Sequence, residues 1–347
     1  MSERAVRSAF LAQAGFCEAM DAPITGRIAA ALAEALDDTT LTGGRVLGWA
    51  GNAIEDALPL RLIGGLRALA LRGDAPDLAA LFEGAGEAVA VLTAALRDHD
   101  DALLPWLDGP PQTNEPGRSA ALMLGLMLAA RRFGHPIDVL EIGSSAGLNL
   151  LIGRYAYDLG GSRIGPADSP VTLAPDWRGT SPDPVEIQVA SARGVDVAPL
   201  DLTHPADADR LRAYVWADHP DRYARLDAAI AMFAADPPLL ERGDAAEWVE
   251  ARLAEPQPAV RTRVLMHSVV WQYLGPDRQQ RIAAALDAAG ARATKDRPLA
   301  WVRLEPDRDL ARHQVHATLW PGGETHHLAA SHPHGRWISP AQAGIAP

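Results

Sequence analysis

Cys17 is the only cysteine in the 347-residue chain. That excludes an internal disulfide and any zinc site built on several thiolates, and it suits a reducing compartment. Lysine is almost missing as well, with Lys295 alone among 32 basic residues. Beside so much alanine, the arginine bias reflects genomic base composition rather than a function. No long apolar run exists: the longest, around Ala120 to Ala130, falls short of the roughly 20 residues that span a bilayer. The first residues, MSERAVRSAFLAQAG, hold no continuous apolar signal core. A cytoplasmic protein without a membrane partner is therefore expected. Positive charge is in deficit too, 32 basic against 44 acidic residues for a net −12. That balance disfavours a nucleic-acid track and favours a small-molecule substrate.

What is present describes an ordinary folded chain, 48% hydrophobic and 22% charged. At about 150 residues per domain, its length suits one large domain or two ordinary ones. No internal repeat is visible. Up to about Ala130, segments such as TGRIAAALAEALDD and GRSAALMLGLMLAARRFG read as helices separated by Gly, Pro and Asp. After His135-Pro136 the texture changes. IDVLEIGSSAG reads as a strand ending in a small-residue turn, and LNLLIGRYAYDL carries helical spacing. Gly160 to Pro184 is crowded with Gly, Pro, Asp and Ser, and predicts an inserted loop with little regular structure.

Further on, VEIQVASARGVDV, PLLERGDA, TRVLMHSVV and LAWVRLEP read as strands alternating with helices, including ADADRLRAYVWA and RYARLDAAIAMFAAD. HQVHATLWPGGETHHLAASH reads as a hairpin turning at Pro-Gly-Gly. The expected fold class is α/β: a Rossmann-like, doubly wound, mostly parallel sheet with a terminal antiparallel hairpin, preceded by an all-helical N-terminal region. The division expected is a helical lid or substrate region over residues 1–117 and an α/β domain over 118–347, with the insertion at about 158–184.

The sharpest local signal is VLEIGSSAGLN, Val139 to Asn149. In an open parallel sheet, a ligand sits beyond the carboxyl end of the first strand, where a small-residue turn lets it approach the backbone. This stretch resembles motif I of the class I S-adenosylmethionine-dependent methyltransferases, an acid followed by a GxGxG turn, with Ser145 at the middle glycine position. PLLERGDAAEW resembles that family's third-strand region, where an acid meets the adenine amino group. RVLMHSVVWQYLGPDRQQRIAAAL resembles the fourth strand and its helix. The chain also looks like a bacterial family of unknown function that shares PPQTNE, EIGSSAGLNLL, a RGVDVAPLD-like segment and HSVVWQYL. The resemblance implies a methyltransferase-like fold and S-adenosylmethionine as cofactor. The implied cofactor-binding residues are Glu141, Gly143, Ser144, Ser145, Gly147, Asp196, Asp244, Ala245 and Ser268. Asp196 is the second-strand acid, with Asp158 and Asp176 as rivals.

PPQTNEPGR offers Gln112, Thr113, Asn114 and Arg118 to a substrate or to the cofactor's amino-acid end, and serves equally as a capped helix start. His267, near a strand end, is the candidate general base. Trp271 and Tyr273 are candidates to face a sulfonium, against the plainer reading that they pack. His313, His316, His326, His327, His332 and His334 lie on and beyond the hairpin with no HExxH helix, so no metal site is expected. GSSAG also matches GxSxG, the hydrolase turn, with Ser145 as nucleophile, a later histidine as base and Asp307 to orient it. The segments before Val139 read as helix and no HGGG-like oxyanion segment is present, which weighs against it. A non-catalytic binding protein on the same fold is the third class.

Overall fold

The computed structural model describes residues 2–307 and 312–341. The chain divides into two compact units, one of Met1–Thr113 with His204–Ala224, the other of Asn114–Thr203 with Arg225–Pro347. The His204–Ala224 segment thus belongs with the N-terminal helices rather than with the sheet, as element order had suggested.

The helical unit comprises α1 (Glu3–Ala19), α2 (Pro23–Ala35), α3 (Leu41–Leu47), α4 (Leu58–Arg72), α5 (Pro76–Phe82), α6 (Ala88–Asp98) and α7 (Asp100–Leu103), with α9 (Pro205–Ala213) and the first residues of α10 (Pro220–Ala235) from the later segment. Its core holds Phe10, Ile28, Leu32, Leu62 and Leu66, all fully buried. Carboxylates from distant segments satisfy the free N–H groups at helix starts. Asp100 accepts from Leu41 N and Thr42 N at the head of α3, each at 2.7 Å. Asp218 takes Ile24 N at 2.7 Å, Thr25 N at 3.0 Å and the Thr25 hydroxyl at 2.6 Å. Tyr214 packs edge-on against Trp106 and lies against Gly64, where a Cβ would come within 2.9 Å of its ring. These long-range contacts tie residues 204–224 to this unit.

The second unit opens with α8 (Ser119–Phe133) and β1 (Ile137–Ile142). Its principal strands are β6 (Val189–Asp196), β7 (Leu239–Arg242), β8 (Thr262–Ser268), β9 (Leu299–Asp307), β10 (Arg312–Trp320) and β11 (Glu324–Ser331). β12 (Trp337–Pro340) and β5 (Asp176–Trp177) continue the sheet, which runs β7-β6-β1-β8-β9-β10-β11-β12-β5. The five strands β7 to β9 are mutually parallel, and β10 and β11 add the antiparallel hairpin. The chain leaves β1 to one side, then crosses back to place β8 on the other. That reversal is the switch point of a doubly wound sheet.

Side chains alternate between the two faces. Register places Glu141, Met266 and Val302 on one face, and Leu140, Leu265 and Trp301 on the other. α8 covers the first, its Gly125 leaving room for Val302, whose Cβ would lie 3.0 Å from an added methyl. The helices α11 (Ala245–Ala254) and α12 (Gly275–Gly290) cover the second with Trp248, Val249, Ile282 and Leu286.

Two expectations need correction. LNLLIGRYAYDL is not a helix but a 3-10 turn, Leu148–Leu151, followed by β2 (Ala156–Leu159). The Tyr155 and Tyr157 hydroxyls bond back to Leu148 O at 2.7 Å and Ile152 O at 2.6 Å, and both rings are buried. The apolar spacing that mimics a helix thus serves a compact reversal instead. The inserted segment is also more regular than expected. β3 (Ser162–Ile164) and β4 (Thr172–Leu173) flank β2 in a second, three-stranded sheet, and β5 joins the main one.

Candidate functional site at the carboxyl edge of the sheet

Gly143, Ser145 and Gly147 have φ of +65°, +53° and +75°, so alternate residues of the turn after β1 are left-handed. Glycine enters that region freely, and a serine there carries strain. The strain is held by neighbours: Ser145 N donates to Asp196 Oδ2 at 2.8 Å, and Ser145 O accepts from Leu200 N at 3.2 Å. Gly147 N closes on Ser144 O at 2.7 Å, and Asn114 Oδ1 receives Leu148 N at 2.6 Å. Gly194 on β6 leaves space for Ser144, where an added Cβ would sit 3.0 Å from the serine Cβ. Gly143 is pressed by Val270, whose Cβ would be 2.7 Å from a methyl there.

Three acids stand at or just beyond the ends of the first three core strands. Glu141 is 1% exposed and its Oε2 is buried without a hydrogen-bond partner. Burial pushes its carboxyl up to about 7, against hydrogen bonds from Ser144 and Asn149. Ser119 donates to Asn149 Oδ1 at 2.8 Å, so a buried polar cluster lies under the turn. Asp196 ends β6; besides Ser145 N it accepts Ala198 N at 2.9 Å. Asp158 and Asp176 lie in the inserted strands β2 and β5. Asp244 caps α11 through Ala246 N at 2.9 Å and Glu247 N at 3.2 Å, and is ion-paired with Arg278. Burial raises its pKa, but these partners outweigh it and hold the group below the usual carboxylate range. Ala245 opens α11 and Ser268 ends β8, both buried.

The other candidates are dispersed. Gln112 and Thr113 fall in the helical unit, Asn114 and Arg118 in the α/β unit. Asn114 braces the turn as described, and Arg118 Nε donates to Pro333 O at 3.0 Å. His267 lies on the α11–α12 face, opposite Glu141, and is fully buried. Its ring stacks on Trp271 at 5.2 Å between centroids, with Trp301 at 5.9 Å. Trp271 therefore packs on an imidazole, and Tyr273 is 75% exposed. His267 Nδ1 meets Glu305 Oε1 at 2.6 Å, and the same oxygen accepts Val270 N at 3.2 Å and Trp271 N at 3.3 Å.

Sequence reasoning missed Glu305 and Ser119. The period-two run Trp301, Arg303, Glu305 was a usable signal for the first, whereas nothing local marks the second. Ser145 Oγ is buried without a hydrogen-bond partner, so no serine–histidine pair forms there, and Asp307 accepts from Gln314 at 3.2 Å. His316 and His327 lie ring to ring at 5.0 Å. Among the described residues no group of three or more His, Cys, Asp or Glu is placed to hold a metal ion. No helix among them is long and apolar enough to cross a membrane.

Fold and turn together define a mixed α/β protein with a helical N-terminal region and a large, mostly parallel sheet whose switch point carries a left-handed turn among acids. The chain belongs to the family described as "Uncharacterized protein conserved in bacteria (DUF2332)", whose model matches residues 7–339. No curated protein and no solved structure matches it.

Proposed function

We propose that the α/β unit binds S-adenosylmethionine at the carboxyl edge of β1, β6 and β7 and serves a methyl transfer to a small molecule. One observation carries this reading: the left-handed turn Gly143–Gly147 sits at the switch point with acids at or just beyond the ends of the first, second and third core strands. Ligands of open α/β sheets bind in that crevice. The residues fit the cofactor. Ser145 takes the φ a glycine would supply, so the turn keeps its form without the middle glycine. Asp196 has one backbone donor on each oxygen. A carboxylate offers about four acceptor sites, which leaves capacity for two ribose hydroxyls. Asp244 would meet the adenine edge, and Gly143 to Gly147 the cofactor's amino-acid end.

The cofactor supplies an electrophilic methyl group. The chain's own contribution is positioning, which accounts for much of the catalysis in an in-line displacement. The buried cluster of Glu141, Asn149 and Ser119 fixes the turn from below, and Asp196 fixes it from the side. His267, buried on the opposite face, receives no part in handling the acceptor's proton. The serine hydrolase alternative requires a base on Ser145 Oγ, and that atom has no partner.

Calorimetric titration of ligand-free protein with S-adenosylhomocysteine tests the reading. Saturable one-site binding is expected, weakened at least tenfold by Asp196→Ala. Turnover of S-adenosylmethionine in the presence of small-molecule acceptor pools would separate an enzyme from a binding protein. Absence of saturable binding of either nucleoside refutes the proposal, and labelling of Ser145 by a fluorophosphonate would replace it with the hydrolase.

A further inference from the structure

The opposite edge of the sheet holds a cleft of about 230 Å³ between the C-terminal ends of α11 and α12, at the amino ends of β8 and β9. One water needs only about 10–15 Å³ of such space, so the cleft admits a small organic molecule. Three guanidinium groups line it, those of Arg263, Arg292 and Arg297, and Leu253 and Leu299 form an apolar wall.

Among the described residues, each of these guanidinium groups donates only to carbonyl oxygens. Arg263 bonds Arg252 O at 3.0 Å and Glu255 O at 3.2 Å, Arg292 bonds Ala288 O at 2.8 Å, and Arg297 bonds Gln257 O at 2.9 Å. Such bonds orient a guanidinium without neutralising it, and Arg263 feels the carboxylates of Glu255 and Asp138 only through space, outside ion-pair distance. Glu255 is the one acid on the lining, and it is held by Arg252 at 2.9 Å and Arg193 at 3.7 Å. Among the described residues, none of the three lining arginines is ion-paired with a carboxylate. In a chain of net charge −12, a cleft lined by three unpaired cations is a local reversal of sign. Planar guanidinium forks match carboxylate and phosphate oxygens in pairs.

We propose that this cleft binds a small organic dianion, its phosphate or paired carboxylates held by Arg263, Arg292 and Arg297 and its short carbon body lying against Leu253 and Leu299. The site is independent of the nucleotide-binding reading, since it lies at the other end of the strands.

Calorimetric titration of the full chain with inorganic pyrophosphate and, separately, with succinate at fixed low ionic strength tests it. Saturable binding of at least one probe at one site per chain is expected. Binding of pyrophosphate alone assigns a phosphate ligand, and binding of succinate alone a dicarboxylate. The double variant Arg292→Gln/Arg297→Gln, altered at exposed side chains, is expected to lose at least tenfold in affinity. Ala293→Phe, which fills the cleft without changing charge, is expected to do the same, and Arg163→Gln on the exposed inserted hairpin to change nothing. Failure of both probes to saturate, or undiminished affinity in the double variant and in Ala293→Phe, overturns the proposal.

Discussion

Gly143→Ala puts the geometry of the first-strand turn to a quantitative test. Gly143 has φ +65°, and an added Cβ would lie 2.7 Å from Val270 Cβ and 3.2 Å from its Cγ1. A non-glycine residue in the left-handed region costs about 1–2 kcal/mol, and overpacking a fitted contact costs about 1–3 kcal/mol. The variant should therefore lose about 2–5 kcal/mol, the sum of those two costs. Val270→Gly in the same background removes the side chain that the new methyl meets, while the backbone penalty stays. A double-mutant cycle over the two positions should thus show a favourable coupling of about 1–3 kcal/mol, in the range usual for residues in contact. Urea unfolding followed by circular dichroism gives the free energies. Hydrogen exchange of peptides covering β1 and β8 shows whether the loss is local to this unit. A cost below about 0.5 kcal/mol, the scatter of ordinary surface substitutions, would refute the argument. So would a coupling near zero, which would mean that Val270 does not confine the turn.

Ser145→Gly should stabilise by about 1 kcal/mol, because it relieves a serine at φ +53° and removes a buried hydroxyl without a partner; a loss of stability in urea unfolding would count against the strain. Glu305→Ala strips a common acceptor from His267 Nδ1, Val270 N and Trp271 N. At about 1–3 kcal/mol for a buried donor left unsatisfied, a loss above about 2 kcal/mol is expected, with faster exchange at Val270 and Trp271. Two buried groups give opposed pH dependences. Glu141 is raised from 4.5 to about 7, so the folded state holds the extra proton and stability rises as pH falls from 7 to 4.5; His313 is lowered from 6.5 to about 4, so the unfolded state takes the proton and stability falls as pH falls from 6.5 to 4. At about 1.4 kcal/mol per pKa unit, each amounts to about 3–4 kcal/mol. Glu141→Gln should therefore steepen acid destabilisation between pH 6.5 and 4.5, and His313→Gln should reverse its sign; parallel pH profiles for both variants and the parent would defeat the assignment.

The strands of the parallel core were legible because each is a short apolar run bounded by turn residues, and because a doubly wound order needs only the sequence of strands and helices. VLEIG, TRVLMHS and LAWVRLEP carry enough buried β-branched and leucine positions to mark β1, β8 and β9. What escaped was non-local. LNLLIGRYAYDL has the spacing of a helix, yet its outcome depends on where two tyrosine hydroxyls find acceptors, and those are the carbonyls of the turn itself. Residues 204–224 read as the next helix of an alternating series. Their assignment to the helical unit rests on Asp218 capping a helix that begins almost two hundred residues earlier. No window of local sequence contains that information.

The candidate site shows the same division between local and distant causes. Asp196 was identifiable as the last acid of a strand, and it does end β6 beside the first-strand turn. It lies 55 residues beyond Glu141 because the sheet of β2, β3 and β4 and the short β5 are inserted between β1 and β6, and sequence registers that insertion only as a stretch rich in glycine and proline. Ser145 is the instructive position. In the sequence it stands where the motif that the turn resembles has its middle glycine. In the structure the residue still reaches φ +53°, because Asp196 holds its N–H and Leu200 its carbonyl. The departure at Ser145 and the acid at 196 are therefore one feature. The Asp196 carboxylate on β6 holds a left-handed backbone conformation that glycine would adopt without such support. If that is the function of Asp196, Asp196→Asn should keep part of the effect through its remaining carbonyl acceptor and Asp196→Ala should lose it. Ser145→Gly should then rescue the stability of Asp196→Ala while leaving any loss of nucleoside binding unrepaired. Equal rescue of stability and binding would mean that the carboxylate acts only on the turn, and that the ribose role assigned to it is wrong.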